Sequence, residues 1–305
     1  VTDAPRLLID TDPGVDDGVA LTLALLYPGV RVEAITVVRG NAALAQSVQN
    51  PRLVVEMCGA DLPVYAGADA PLVRAAPERP AWIHGADGFA DLGLQPERRE
   101  ADAGFAPDRI VELVTADPGA LTIVTLGPLT NLALALAREP GIARLARGLV
   151  MIGGMARASG TATPAADFNM QTDPEAARAV LRAGFRLTLV GIELSRGAAR
   201  FTDTEVAVLG AIATPPARLV AALLGHSLRT AARRSLLPGE HGAACPDAFA
   251  IAVALDPSLI TDAVDAVVEV ETGGALPTRK IVVGLDPTRI KALLRDVLRA
   301  RSVHA

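Results

Sequence analysis

Short apolar runs alternate with helical patterns along most of this chain, and that alternation restricts the available folds more than any other feature. Arg6 to Ile9 is followed by Val15 to Leu26, and Val30 to Val38 by Ala43 to Cys58. The rhythm continues through Ile110 to Ala116, Leu121 to Thr125, Leu129 to Ala137, Leu149 to Ile152, Pro174 to Ala183 and Leu187 to Val190, with Gly, Pro or Asp at each boundary. Strands that alternate with helices predict an α/β fold, a mainly parallel central sheet with helices on both faces and active residues just beyond the strand C-termini. The 305 residues are 50% hydrophobic and contain no Ser/Gly linker or internal repeat, so they read as one domain, 1–305. Two stretches interrupt the rhythm, 67–107 and 236–246, and loops of that length are expected to act as lids.

Charge and cysteine usage narrow the partners. Aromatic residues make up only 3% of the chain and its net charge is -5, which argues against a stacking or phosphate-tracking surface for nucleic acid. Cys58 and Cys245 form no metal or disulfide pattern, and no segment is apolar for the length that a bilayer requires. A soluble, cytoplasmic protein that contacts no membrane is the expectation.

The densest chemistry lies in Leu7-Leu-Ile-Asp-Thr-Asp-Pro-Gly-Val-Asp-Asp-Gly18, which sets Asp10, Asp12, Asp16 and Asp17 at the end of the first strand and the start of its helix. Helix capping accounts for one or two acids at such a place. Four carboxylates repel one another and are best explained by a bound cation, and all-oxygen donors favour calcium or magnesium over zinc.

Asp-Thr-Asp-Pro-Gly-x-Asp-Asp after an apolar strand resembles the signature of the inosine-uridine preferring nucleoside hydrolase family. Further matches follow in order: Val37-Val-Arg-Gly-Asn41, Pro63-Val-Tyr-Ala-Gly67 with His84-Gly-Ala-Asp-Gly88, Leu126-Gly-Pro-Leu-Thr-Asn131, Met151-Ile-Gly-Gly154, Ala166 to Ala176, and Pro246 to Ala252. The resemblance implies a calcium-dependent enzyme that hydrolyses the N-glycosidic bond of ribonucleosides. It implies calcium ligation by Asp12, Asp17 and Asp247 with the Leu126 carbonyl, and Asp12 as the base that takes a proton from water. It further implies ribose contacts from Asp16, Asn41 and Asn169, a substrate contact from His84, and assembly as a homodimer or homotetramer.

Departures from the family pattern are equally informative. Pro246 stands where many members have a His that serves as leaving-group acid, so His241, Cys245 and His84 become the candidates, with His241 preferred. Thr161 and Asp167 replace an Asn and a Glu at the 5′ end of the sugar pocket, which points to room for a modified 5′ position. Arg39, Arg233 and Arg234 could meet a phosphate there, although surface placement accounts for them more simply. Two other readings stand beside the hydrolase. One is a protein of the same fold that binds nucleosides or sugars without turnover. The other is a magnesium-dependent phosphatase with Asp10 as nucleophile, disfavoured by Pro13-Gly14 and by having Lys280 and Lys291 as its only lysines.

Overall fold

The computed structural model describes residues 5–154, 167–233, 241–268, 270 and 278–300. Eight strands form one sheet: β1 (Arg6–Thr11), β2 (Arg31–Val37), β3 (Val64–Ala66), β4 (Leu121–Thr125), β5 (Gly148–Ile152), β6 (Leu187–Val190), β7 (Ile260–Val267) and β8 (Thr278–Leu285). Their order is β3-β2-β1-β4-β5-β6-β8-β7, parallel throughout except for β7, which pairs antiparallel with β8. The α/β reading is thus borne out.

Side-chain alternation in β1 explains the three-layer build. Leu7 and Ile9 face a core formed with helices Val15–Leu26, Pro215–Arg233 and Pro246–Leu255, while Leu8 faces a second core with helices Ala106–Ala116 and Thr130–Arg138. Each of these three side chains is essentially buried, and burying one such residue contributes about 1.5–3 kcal/mol.

The strand order positions the site. β1 is flanked by β2 on one side and β4 on the other, so the chain leaves its C-terminal end in opposite directions and opens a crevice there. Two helices begin at that crevice. Val15–Leu26 starts after Pro13-Gly14, and Pro246–Leu255 starts with Pro246 in its first turn, where the missing N–H costs nothing. Pro246 therefore has a structural role at this position.

Both cysteines are buried and neither is joined in a disulfide, and among the described residues no helix is long and apolar enough to cross a membrane.

Candidate active site

Two helix N-termini and the end of β1 bring Asp12, Asp16, Asp17 and Asp247 together. Carboxylate oxygens of Asp16, Asp17 and Asp247 lie within 4.8 Å of one another. Asp17 is held from behind: it accepts from the Thr11 hydroxyl, from Gly14 N at 2.8 Å and from Asn41 Nδ2 at 3.4 Å. Asp12 accepts from Asn41 N at 3.0 Å, and Asn41 Nδ2 donates to the Asp12 carbonyl at 3.0 Å. Glycines flank this carboxylate on two sides. A Cβ on Gly40 would lie 1.9 Å from Asp12 Oδ2, and one on Gly127 would lie 2.7 Å from Oδ1.

Burial and mutual repulsion set the protonation of this group. Burial, reinforced by Asp17 and Asp16, holds Asp12 well above the usual carboxylate range; burial with Asp16, Asp17 and Asp12 does the same to Asp247. Burial lifts Asp16 and Asp17 to about 6, although the Asp16 side chain retains 18% exposure toward the cavity. Helix N-terminal partial charges offset only part of this cost. The donor set fits a hard divalent cation: anionic oxygens converge with the Leu126 carbonyl nearby, and among the described residues no sulfur or imidazole donor joins the cluster.

A cavity of about 340 Å³ opens over these residues, a volume typical of small-molecule sites. Asp12, Asp16 and Asp247 line it beside Asn41, His84 and Asn169. Asn169 Nδ2 donates to the Leu126 carbonyl at 2.7 Å, which ties the far wall to the end of β4. Asp167 also lines the cavity, but its carboxylate caps helix Phe168–Thr172, accepting from Gly154 N, Asn169 N at 3.0 Å and Met170 N at 3.2 Å. Burial raises its pKa, and those three N–H donors work against the rise.

His84 accepts from Val15 N at 3.1 Å through Nδ1, which assigns the proton of the neutral ring to Nε2. Burial lowers its pKa to about 4, so near neutral pH it is an uncharged hydrogen-bond donor. His226, which no sequence motif singles out, supports the same corner: its Nε2 lies 2.9 Å from the Ile83 carbonyl.

The preferred leaving-group candidate is not brought to the cavity. His241 is exposed and outside the lining, because Ala243 pairs with Phe201 and turns the chain inward only after Gly242. Cys245 is buried beneath the lining with its thiol 3.8 Å from the Asp16 carbonyl; burial and the nearby carboxylates push its pKa well up, so it holds its proton. Asp10 is corrected as well. It is fully buried, accepts from Thr36 Oγ1 at 2.7 Å and Asn131 Nδ2 at 2.8 Å, and does not line the cavity, which removes the phosphatase reading. Arg39 is engaged with the Asp69 carbonyl at 3.2 Å, and Arg233 is exposed at its helix end. Thr161 and Arg234 lie outside the described residues, as does 236–240 of the second expected lid. Within the first, Pro80, Ile83 and His84 reach the cavity. Arg196 and Arg200 line it too, and no local sequence pattern announces them.

Fold and site together define an α/β protein with an acidic, oxygen-rich pocket suited to a hard cation and a small polyol. The family model described as inosine-uridine preferring nucleoside hydrolase matches residues 7–299. The inosine-uridine preferring nucleoside hydrolase of Leishmania major is 34% identical over 281 residues, covering 91% of this chain and 87% of that protein. Uridine nucleosidase 1 of Arabidopsis thaliana is 36% identical over 206 residues, covering 67% of this chain and 61% of its own length. This chain thus spans less than two thirds of that relative. A plant nucleoside hydrolase of solved structure superposes with a TM-score of 0.88 at 30% identity, over 97% of this chain and 99% of that one. The chain belongs to the inosine-uridine preferring nucleoside hydrolase family, a family of N-glycosyl hydrolases.

Proposed function

We propose that this protein hydrolyses the N-glycosidic bond of ribonucleosides to free base and ribose, with a calcium ion held by Asp12, Asp17, Asp247 and the Leu126 carbonyl. The observation that carries the reading is the convergence of Asp12, Asp16 and Asp247 with Asn41 and Asn169 on one small cavity. When bound, the cation supplies Lewis acidity toward water and vicinal hydroxyls.

The residues divide the remaining work. Breaking the bond builds positive charge on the ribosyl ring, and the carboxylates of Asp12, Asp16 and Asp247 stabilise that charge in a site whose dipoles are already oriented. Asp12, fixed by Asn41 and its two glycines, accepts a proton from the attacking water. Asp16, Asn41 and Asn169 orient the ribose hydroxyls. His84, not His241, offers the departing base its Nε2 hydrogen; a neutral imidazole donates a hydrogen bond there without a full proton transfer.

One relative is named for uridine and another for inosine and uridine, so the base is a matter for assay. Chromatography of calcium-supplemented protein with purine and pyrimidine ribosides tests the reading. Free base and ribose are expected, whereas a protein that only binds ribosides would retain them intact.

A further inference from the structure

Among the described residues that line the cavity, Arg196 and Arg200 are the arginines, and they share it with the carboxylates of Asp12, Asp16, Asp167 and Asp247. A positive wall works against both duties assigned to this pocket. It repels a bound cation, and it repels the positive charge that develops on the ribosyl ring. A neutral nucleoside has no use for it.

We propose that Arg196, on the wall it shares with Arg200, receives an anionic substituent on the substrate, so that this enzyme prefers a riboside carrying a carboxylate on its base or a phosphate on its 5′ oxygen. The inference rests on the hydrolase reading above. The two arginines end successive turns after β6: Ile192–Ser195 is followed by Arg196, and Gly197–Ala199 by Arg200. Arg200 is fixed by the main chain around it. Its Nη1 donates to the Gly242 carbonyl at 3.0 Å, its own carbonyl accepts from Lys291 Nζ at 2.6 Å, and the adjoining Phe201 pairs with Ala243. Those contacts hold it against the segment that supplies Ala244 and Pro246 to the same cavity. Arg196 is exposed, and among the described residues no carboxylate lies within ion-pair distance of it, so its guanidinium is available for a bidentate contact with a carboxylate or phosphate. At the sugar end, the Asp167 carboxylate accepts from three backbone amides, which fix its position in the wall.

The test compares matched ligands on the calcium-loaded protein and on its Arg196→Gln and Arg196→Lys variants. Turnover is measured with uridine, uridine bearing a 6-carboxylate, and uridine 5′-phosphate. Calorimetry measures binding of the products in pairs, orotate against uracil and ribose 5-phosphate against ribose. The expected result is that the anionic member of one pair is preferred by about tenfold or more, that Arg196→Gln removes most of this preference, and that Arg196→Lys keeps part of it. The pair that responds identifies where the anion sits. Equal use of neutral and anionic ligands by the wild-type protein would overturn the proposal, as would an Arg196→Gln variant that weakens both members of a pair equally. If no riboside is cleaved but an anionic product still binds through Arg196, the hydrolase reading fails and the anion-binding wall stands.

Discussion

Asp12 is the residue on which most of the chemistry converges, and its surroundings predict how substitutions behave. Asp12→Asn and Asp247→Asn should each lower kcat/KM by at least about a hundredfold, since both remove charge and one removes the base. Loss of a carboxylate from a mutually repelling buried group should at the same time raise the thermal midpoint of the metal-free protein, which calorimetry would show. A lowered midpoint would mean that these carboxylates do not repel one another. Asp10 makes a separate prediction. Burial lifts its pKa from 3.8 to about 7, so its contribution to stability is complete below pH 4 and is lost as pH rises through 7. Asp10→Asn should therefore gain on the wild type by a few kcal/mol between pH 4 and 8, because each tenfold change in proton affinity on folding is worth about 1.4 kcal/mol. Denaturant melts at the two pH values would reveal the gain, and a difference independent of pH would contradict it.

At the scale of elements, the ends of β1, β2 and β4 matter through close backbone approach. Gly40→Ala would place a Cβ against Asp12 Oδ2 and should cost at least about tenfold in both calcium affinity and kcat/KM with the sheet intact. Calcium titration and circular dichroism together would check this, and wild-type affinity in the variant would show that Asp12 has freedom to move. The elements around this site were the most legible part of the sequence. The helix Val15–Leu26 and strand Leu121–Thr125 lie where periodicity predicts them, because both are bounded by turn residues and are mostly buried. By contrast, β7 reads as Ile-Thr-Asp-Ala-Val-Asp-Ala-Val. Most of its residues face solvent, so the period-two signal of a half-buried strand is missing. The acidic cluster was legible because its members are close in sequence or fall in ordered motifs. Arg196 and Arg200 were not, since their arrival depends on the distant pairing of Phe201 with Ala243. The same pairing leaves His241 outside.

Across the whole molecule, the acidic centre couples stability to cation and proton. Asp10, Asp16 and Asp17 have pKa values raised to about 7, 6 and 6, and Asp12 and Asp247 are raised as well, so the metal-free protein should be more stable at pH 5 than at pH 8. His84 opposes this, because its pKa is lowered to about 4 and its contribution fades as pH falls from 6.5. One imidazole is outweighed by five carboxyls. Calcium should narrow the difference, since it competes with protons for the same oxygens and so binds better at pH 8, and at one hundred times its dissociation constant it would add about 2.7 kcal/mol. Thermal melts with calcium or chelator at both pH values would show a larger calcium shift at pH 8 than at pH 5, and curves unmoved by calcium would remove the cation from the site. Product analysis is the measurement that bears most immediately on the hydrolase assignment. Calcium-loaded protein is incubated with purine and pyrimidine ribosides beside its Asp12→Asn variant, and free base and ribose are quantified. Release by the wild type that is lost in the variant is the predicted result; intact ribosides in every reaction, with calcium demonstrably bound, would contradict it.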